Sequence, residues 1–376
     1  MTASETRYVS RMRRRLAPRV GAGLVFAVFA CIIACGDSGT SSTDTPDSGL
    51  ANDGSSSSDG PFADGSTSDG ATGDAASTDA SSRDGAAADS STDAGTTKYD
   101  HDGPGTQTTF TSQLTNGAST FTVHVYLPGS PGAHPVVSLS PGLQQPASAY
   151  APYAKRLASW GIVVLVRDDP GAFSPTPGET ADIVYTIATW LPAENANAAS
   201  PLNGKIDLAR VGLSGHSRGT QATLVAAEND LKGKVKSWFG LDAVDSSTLS
   251  NGAQSRTALP AIGIPTAFIG GSVSSSCSPA ADNYEVLYAV APSPSVKITG
   301  VGAGHTQFED PATCAVCGLC TPSGTADGAV VLAYAVRYMT AFFARELLGD
   351  ATVGAAFEGA GALADVAAGR VQVTSK

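Results

Sequence analysis

The stretch Phe121-Thr122-Val123-His124-Val125-Tyr126-Leu127 alternates apolar and polar positions with a period of two, which predicts a strand with one buried face. Further on, His134-Pro135-Val136-Val137-Ser138-Leu139-Ser140 is almost continuously apolar and stops at Pro141-Gly142, as a strand covered on both faces does. Similar runs follow at residues 162–166, 210–213, 235–241, 265–269 and 296–299. Between them, the 3.6-residue spacing of apolar positions predicts helices over 150–160, 180–191, the residues after Gly219, 282–290, and a long amphipathic one over 329–348. Strands that alternate with helices imply an α/β fold: a mostly parallel central sheet with helices on both faces, built as one domain over residues 98–376. Beyond Gly349 the Ala- and Gly-rich sequence predicts no element.

One junction in this pattern carries chemistry. Val211-Gly212-Leu213-Ser214 runs straight into Gly215-His216-Ser217-Arg218-Gly219 and then into the helix-forming Thr220 to Ala227. A G-x-S-x-G between a strand and a helix is a nucleophile elbow, because small residues two before and two after the serine let the chain turn sharply enough to expose Oγ. Out of that context the motif would be only a Gly/Ser turn entering a helix.

A serine nucleophile needs a base and an acid, and in this architecture they follow it in the order Ser, acid, His. Of the five histidines, His101, His124 and His134 precede the elbow, and His216 is adjacent to Ser217 and cannot face it. His305 remains, in a glycine-rich loop directly after a strand. The expected place for the acid, after residues 265–269, holds no carboxylate. The preceding strand ends in Gly240-Leu241-Asp242, which makes Asp242 the candidate, with Asp245 and Asp282 as alternatives. The oxyanion hole takes main-chain N–H groups, here those of Arg218 and, from the loop after residues 134–140, Leu143.

These residues resemble the chlorophyllase branch of the α/β-hydrolases: Gly215-His216-Ser217-Arg218-Gly219, Gly-Leu-Asp at Asp242, Cys277 before an Asn-Tyr-Glu helix start, and Gly-His at His305. In that branch the acid follows the elbow at about this distance, which favours Asp242. Ser140-Pro141-Gly142, Leu157-Ala158-Ser159-Trp160-Gly161 and Gly204-Lys205-Ile206-Asp207 are also similar to cutinase-type bacterial polyester hydrolases. Together the resemblances span about residues 118 to 348. They imply an α/β-hydrolase fold and ester hydrolysis, with Val244 standing where the polyester hydrolases carry tryptophan.

The remaining sequence changes the picture by composition. Residues 1–35 carry six arginines and one glutamate around an apolar run, which is the layout of an export signal. The run ends at Ile33-Ala34-Cys35-Gly36, which resembles a bacterial lipobox, so Cys35 is the expected lipidation site and the cell envelope the expected location. Residues 36–97 are almost wholly Ser, Thr, Asp, Gly and Ala with one aromatic, and their twelve aspartates and one arginine make an acidic, core-less tether. The rest is nearly neutral, with no basic stripe for nucleic acid. Four cysteines lie outside the signal: Cys277, Cys314, Cys317 and Cys320. An exported chain implies two disulfides rather than a metal site, with three pairings open. The expected protein is an envelope-anchored serine esterase acting on a small or lipid-like ester. No cofactor, metal or obligate protein partner is expected. Activity on insoluble esters, as a lipase or polyester hydrolase, is the first alternative, and a silent surface binding module the second.

Overall fold

The computed structural model describes residues 97–169, 176–245, 254–312, 317–357 and 360–376. Cys35, the expected export signal and nearly all of the expected tether lie outside them, as does Cys314. Among the described residues, nine strands form a single sheet: β1 (Gln107–Asn116), β2 (Ser119–Pro128), β3 (His134–Ser140), β4 (Val163–Arg167), β5 (Ile206–His216), β6 (Val235–Leu241), β7 (Thr266–Gly271), β8 (Ser295–Gly300) and β9 (Val371–Ser375). Their spatial order is β1-β2-β4-β3-β5-β6-β7-β8-β9. The six strands from β4 to β8 in that order are parallel neighbours, whereas β1, β2 and β9 pair antiparallel. This is the α/β-hydrolase fold.

The helices are α1 (Ala151–Ser159), α2 (Thr176–Tyr185), α3 (Leu191–Ala196), α4 (Gly219–Glu228), α5 (Gln254–Ala258), α6 (Tyr284–Val290), α7 (Gly328–Phe343), α8 (Gly354–Phe357) and α9 (Ala360–Ala367). The helix expected over 180–191 begins earlier and continues through a π turn at Thr186–Trp190 into α3.

The pleat of the strands sorts the core into two layers. Val137, Leu139, Val164, Val166, Phe239 and Ile269 face α1 and α7, while their neighbours Val136, Val163, Leu165, Trp238 and Phe268 face α2, α4 and α6. Successive side chains of a strand point to opposite faces, so a continuous apolar run fills both layers. Each such side chain contributes about 1.5–3 kcal/mol on full burial. Trp238 is fully buried and its indole N–H donates to Thr223 Oγ1 at 3.0 Å, which fixes α4 to the sheet.

Two strands had no counterpart in the sequence reading. β1 is largely polar and half exposed, an outer strand whose pattern carries no apolar signal. β9 lies in the Ala/Gly-rich region and hydrogen-bonds along β8, so those residues form the outer strand on that side of the sheet.

Candidate active site

The carboxyl ends of β5, β6 and β8 meet at one point. β5 runs into the elbow, where Ser217 has φ of +53°, a left-handed conformation that an L-residue holds only under tertiary constraint. The two flanking glycines are required by contact. A Cβ at Gly215 would lie 2.5 Å from the carbonyl carbon of Gly219, and one at Gly219 would lie 2.5 Å from the carbonyl oxygens of Ser140 and Pro141. Strand, turn and α4 therefore fit together only without those side chains.

Ser217 Oγ lies 2.9 Å from His305 Nε2, and His305 Nδ1 lies 2.5 Å from Asp242 Oδ2. All three are buried; Ser217 is the most open at 9%. His305 starts a short 3-10 turn, His305–Phe308, in the loop after β8. Asp242 follows β6 directly and turns with φ of +33°. β7 lies between β6 and β8, so Asp242 and the loop carrying His305 reach toward each other across that strand. They do so over Gly270-Gly271, and the Gly271 N–H donates to the second oxygen of the carboxylate at 2.9 Å. A Cβ at Gly270 would strike the Tyr284 ring and one at Gly271 the Ala303 carbonyl oxygen, so packing holds both positions to glycine.

Burial would raise the Asp242 carboxyl. The hydrogen bond and charge of His305 and the Gly271 amide outweigh it and hold the group below the usual carboxylate range.

The alternatives for the acid are placed elsewhere. Asp245, fully buried, accepts from Gln221 Nε2 at 2.8 Å and from the Ser255 and Arg256 amides, capping α5. Asp282 pairs with Arg256. His124 is bonded to Asp168 at 2.9 Å and His134 to the carbonyls of Gly161 and Ser130.

The loop after β3 lies against the elbow, since a Cβ at Gly142 would come 2.9 Å from His216 Nδ1. Its Gly142 N–H donates to Tyr150 Oη at 2.8 Å, and its Gln144 N–H to Asp169 at 2.5 Å. Among the described residues, no protein group takes the Leu143 N–H between them. Arg218 is the N-cap of α4, which puts its main-chain N–H at the positive end of that helix. The Arg218 guanidinium turns away into a buried network, 2.8 Å from Asp169 and 3.7 Å from Glu179, which Arg167 also approaches. Burial pushes the Glu179 carboxyl up against the pull of both arginines.

Cys277, after β7, is disulfide-bonded to Cys320, which joins the rim of one loop to the segment beyond His305. Cys317 is disulfide-bonded as well.

Three residues at the site were not singled out as functional in the sequence. His216 contacts His305, although it cannot face Ser217. Its ring stacks on the His305 ring with centroids 4.8 Å apart. Glu309 and Tyr150 lie behind it. The available signal was weak: a carboxylate four residues past His305, and an aromatic at the start of α1.

A parallel α/β sheet with a serine, a histidine and an aspartate bonded in series at its carboxyl edge defines a hydrolase-type site. The chain belongs to the PET hydrolase-like family, whose sequence model matches residues 76–307, a span that includes Ser217, Asp242 and His305. Among curated proteins nothing matches. Family membership makes ester hydrolysis the chemistry of the fold.

Proposed function

We propose that the chain is a serine carboxylic-ester hydrolase working through an acyl-enzyme. Ser217 Oγ attacks the ester carbonyl while His305 Nε2 takes its proton. Asp242 keeps the Nδ1–H tautomer and stabilises the imidazolium that forms, and the Leu143 and Arg218 amides hold the oxyanion. The tetrahedral intermediate then expels the alcohol, which receives the proton from His305. Water, deprotonated by the same imidazole, releases the acid and restores Ser217. The observation that carries this reading is the series Asp242, His305, Ser217 with contacts of 2.5 and 2.9 Å.

The family match favours a second form of the same activity, hydrolysis of polyester or other insoluble esters. Val244, at the tryptophan position of the cutinase-type enzymes, is buried and paired with Asn283, so it offers no aromatic surface to a polymer chain. A small or lipid-like ester remains the preferred substrate. The proposed setting is the cell envelope, with Cys35 lipidated and residues 36–97 as the spacer to a catalytic domain over 98–376.

Fluorophosphonate labelling followed by mass spectrometry tests the mechanism. One adduct on Ser217, lost in Ser217→Ala, is expected; labelling that persists in that variant refutes the assignment. Parallel rates on a soluble ester and a polyester film separate the two substrate classes.

A further inference from the structure

Behind the general base lies a second hydrogen-bonded series that the reaction scheme does not use. His216 Nδ1 is 2.9 Å from Glu309 Oε1, and His216 Nε2 is 3.2 Å from the main-chain carbonyl of His305. Tyr150 Oη also lies 2.9 Å from His216 Nδ1, and it donates to Glu309 Oε1 at 3.2 Å. Tyr150 Oη in turn accepts the Gly142 N–H of the proposed oxyanion loop. All three side chains are buried.

The partners decide the protonation of His216. A main-chain carbonyl can only accept, so Nε2 must carry hydrogen. At Nδ1 the neighbours are a carboxylate oxygen, which also only accepts when ionised, and a phenol whose own proton goes to that carboxylate. With the phenol proton on Glu309 in this way, Nδ1 carries hydrogen too and the ring is an imidazolium; with that proton on Nδ1 instead, the ring would be neutral. The charged groups around it are Glu309 and Asp242 on the acidic side, with His305 against its face and Tyr150 at its edge.

We propose that His216, Glu309 and Tyr150 form a buried positioning relay in which a His216 imidazolium, ion-paired to Glu309, fixes the loop of the general base and the oxyanion loop to the nucleophile elbow. Burial opposes the charge on His216, and the Glu309 carboxylate overcomes it, so the ring's pKa is raised. Tyr153 Oη donates to the Phe308 carbonyl at 2.9 Å and the Asp310 N–H to the Ala149 carbonyl at 2.9 Å, so the start of α1 holds the same loop on its other side.

The relay rests on the reading of Ser217 and His305 as nucleophile and base, and the test separates the two. The full chain is first labelled with a fluorophosphonate; a wild type without a Ser217 adduct overturns that reading and the relay with it. Given the adduct, Glu309→Gln removes the carboxylate charge at nearly constant shape, and His216 then loses its extra proton. kcat should fall about tenfold with KM little changed, as for a misplaced catalytic group. Glu309→Asp should recover part of the rate. An unchanged kcat in a folded Glu309→Gln overturns the relay. Should that variant not fold, nitrogen-15 spectra of histidine-labelled wild type at neutral pH decide. Protons on both ring nitrogens of His216 support the relay, and a single neutral tautomer overturns it.

Discussion

Ser217 and Asp242 both hold positive φ, a conformation costing on the order of 1–3 kcal/mol each that surrounding bonds must sustain. For Asp242 those bonds are its N–H to the Ile269 carbonyl at 2.6 Å and its carboxylate to the Gly271 amide. The side chain is thus oriented by β7 while belonging to β6. Asp242→Asn keeps that frame and removes the charge that sets the His305 tautomer. Its kcat should drop by a factor on the order of 10⁴, as in other triads of this kind, with folding retained by circular dichroism. Full activity in the variant would reassign the acid. Order along the chain and elimination among five histidines single out Ser217, His305 and Asp242 in the sequence, and the structure brings those three side chains into contact. Glu309 and the role of His216 could not be read there. The rule that adjacent side chains diverge excludes a contact with Ser217, but says nothing about a ring 89 residues away.

The elements show the same division. Strands buried on both faces announce themselves as apolar runs, so β3 to β8 were legible to within a few residues. β1 was not, because its pairing with β2 rests on main-chain bonds beneath threonines, serine and glutamine. The elbow is the element most tightly specified by packing. Gly219→Ala would drive a methyl group into two carbonyl oxygens, and a rigid backbone on both sides cannot yield cheaply. A loss of about 1–3 kcal/mol in urea denaturation is expected, together with lower kcat from a displaced Ser217. Gly233→Ala is the control. There φ is +81° with open space around the Cβ, so it should cost stability through backbone strain alone and leave kcat unchanged.

For the whole molecule, stability should depend on pH through Asp242 and His216, which act in opposite sense, and through the raised Glu179. Asp242 is depressed in the fold, so its contribution is present above the unfolded value of 3.8 and is lost as pH falls through the folded value. His216 is raised, so its contribution is full below the unfolded value of 6.5 and is lost as pH rises through the folded value. These two groups make denaturation midpoints decline below about 4 and above about 6.5, while the raised Glu179 carboxyl lowers them further as pH rises above its unfolded value of 4.5. Glu309→Gln should remove the His216 share of the upper decline, and an unchanged slope there would exclude a charged His216. The Cys277–Cys320 bridge closes a loop with a sequence separation of 43, for which chain entropy allows roughly 4 kcal/mol. Cys320→Ser should lower the unfolding free energy by up to that amount, measured against oxidised wild type. β9 pairs with β8 although every other strand precedes it in the chain. Synthesis runs in one direction, so a ribosome releases the closing strand after all the others. Until it arrives, the β8 edge is an open template for a second nascent chain. Yield of this protein should thus be governed by translation speed and the spacing of neighbouring ribosomes as much as by the stability of the finished sheet.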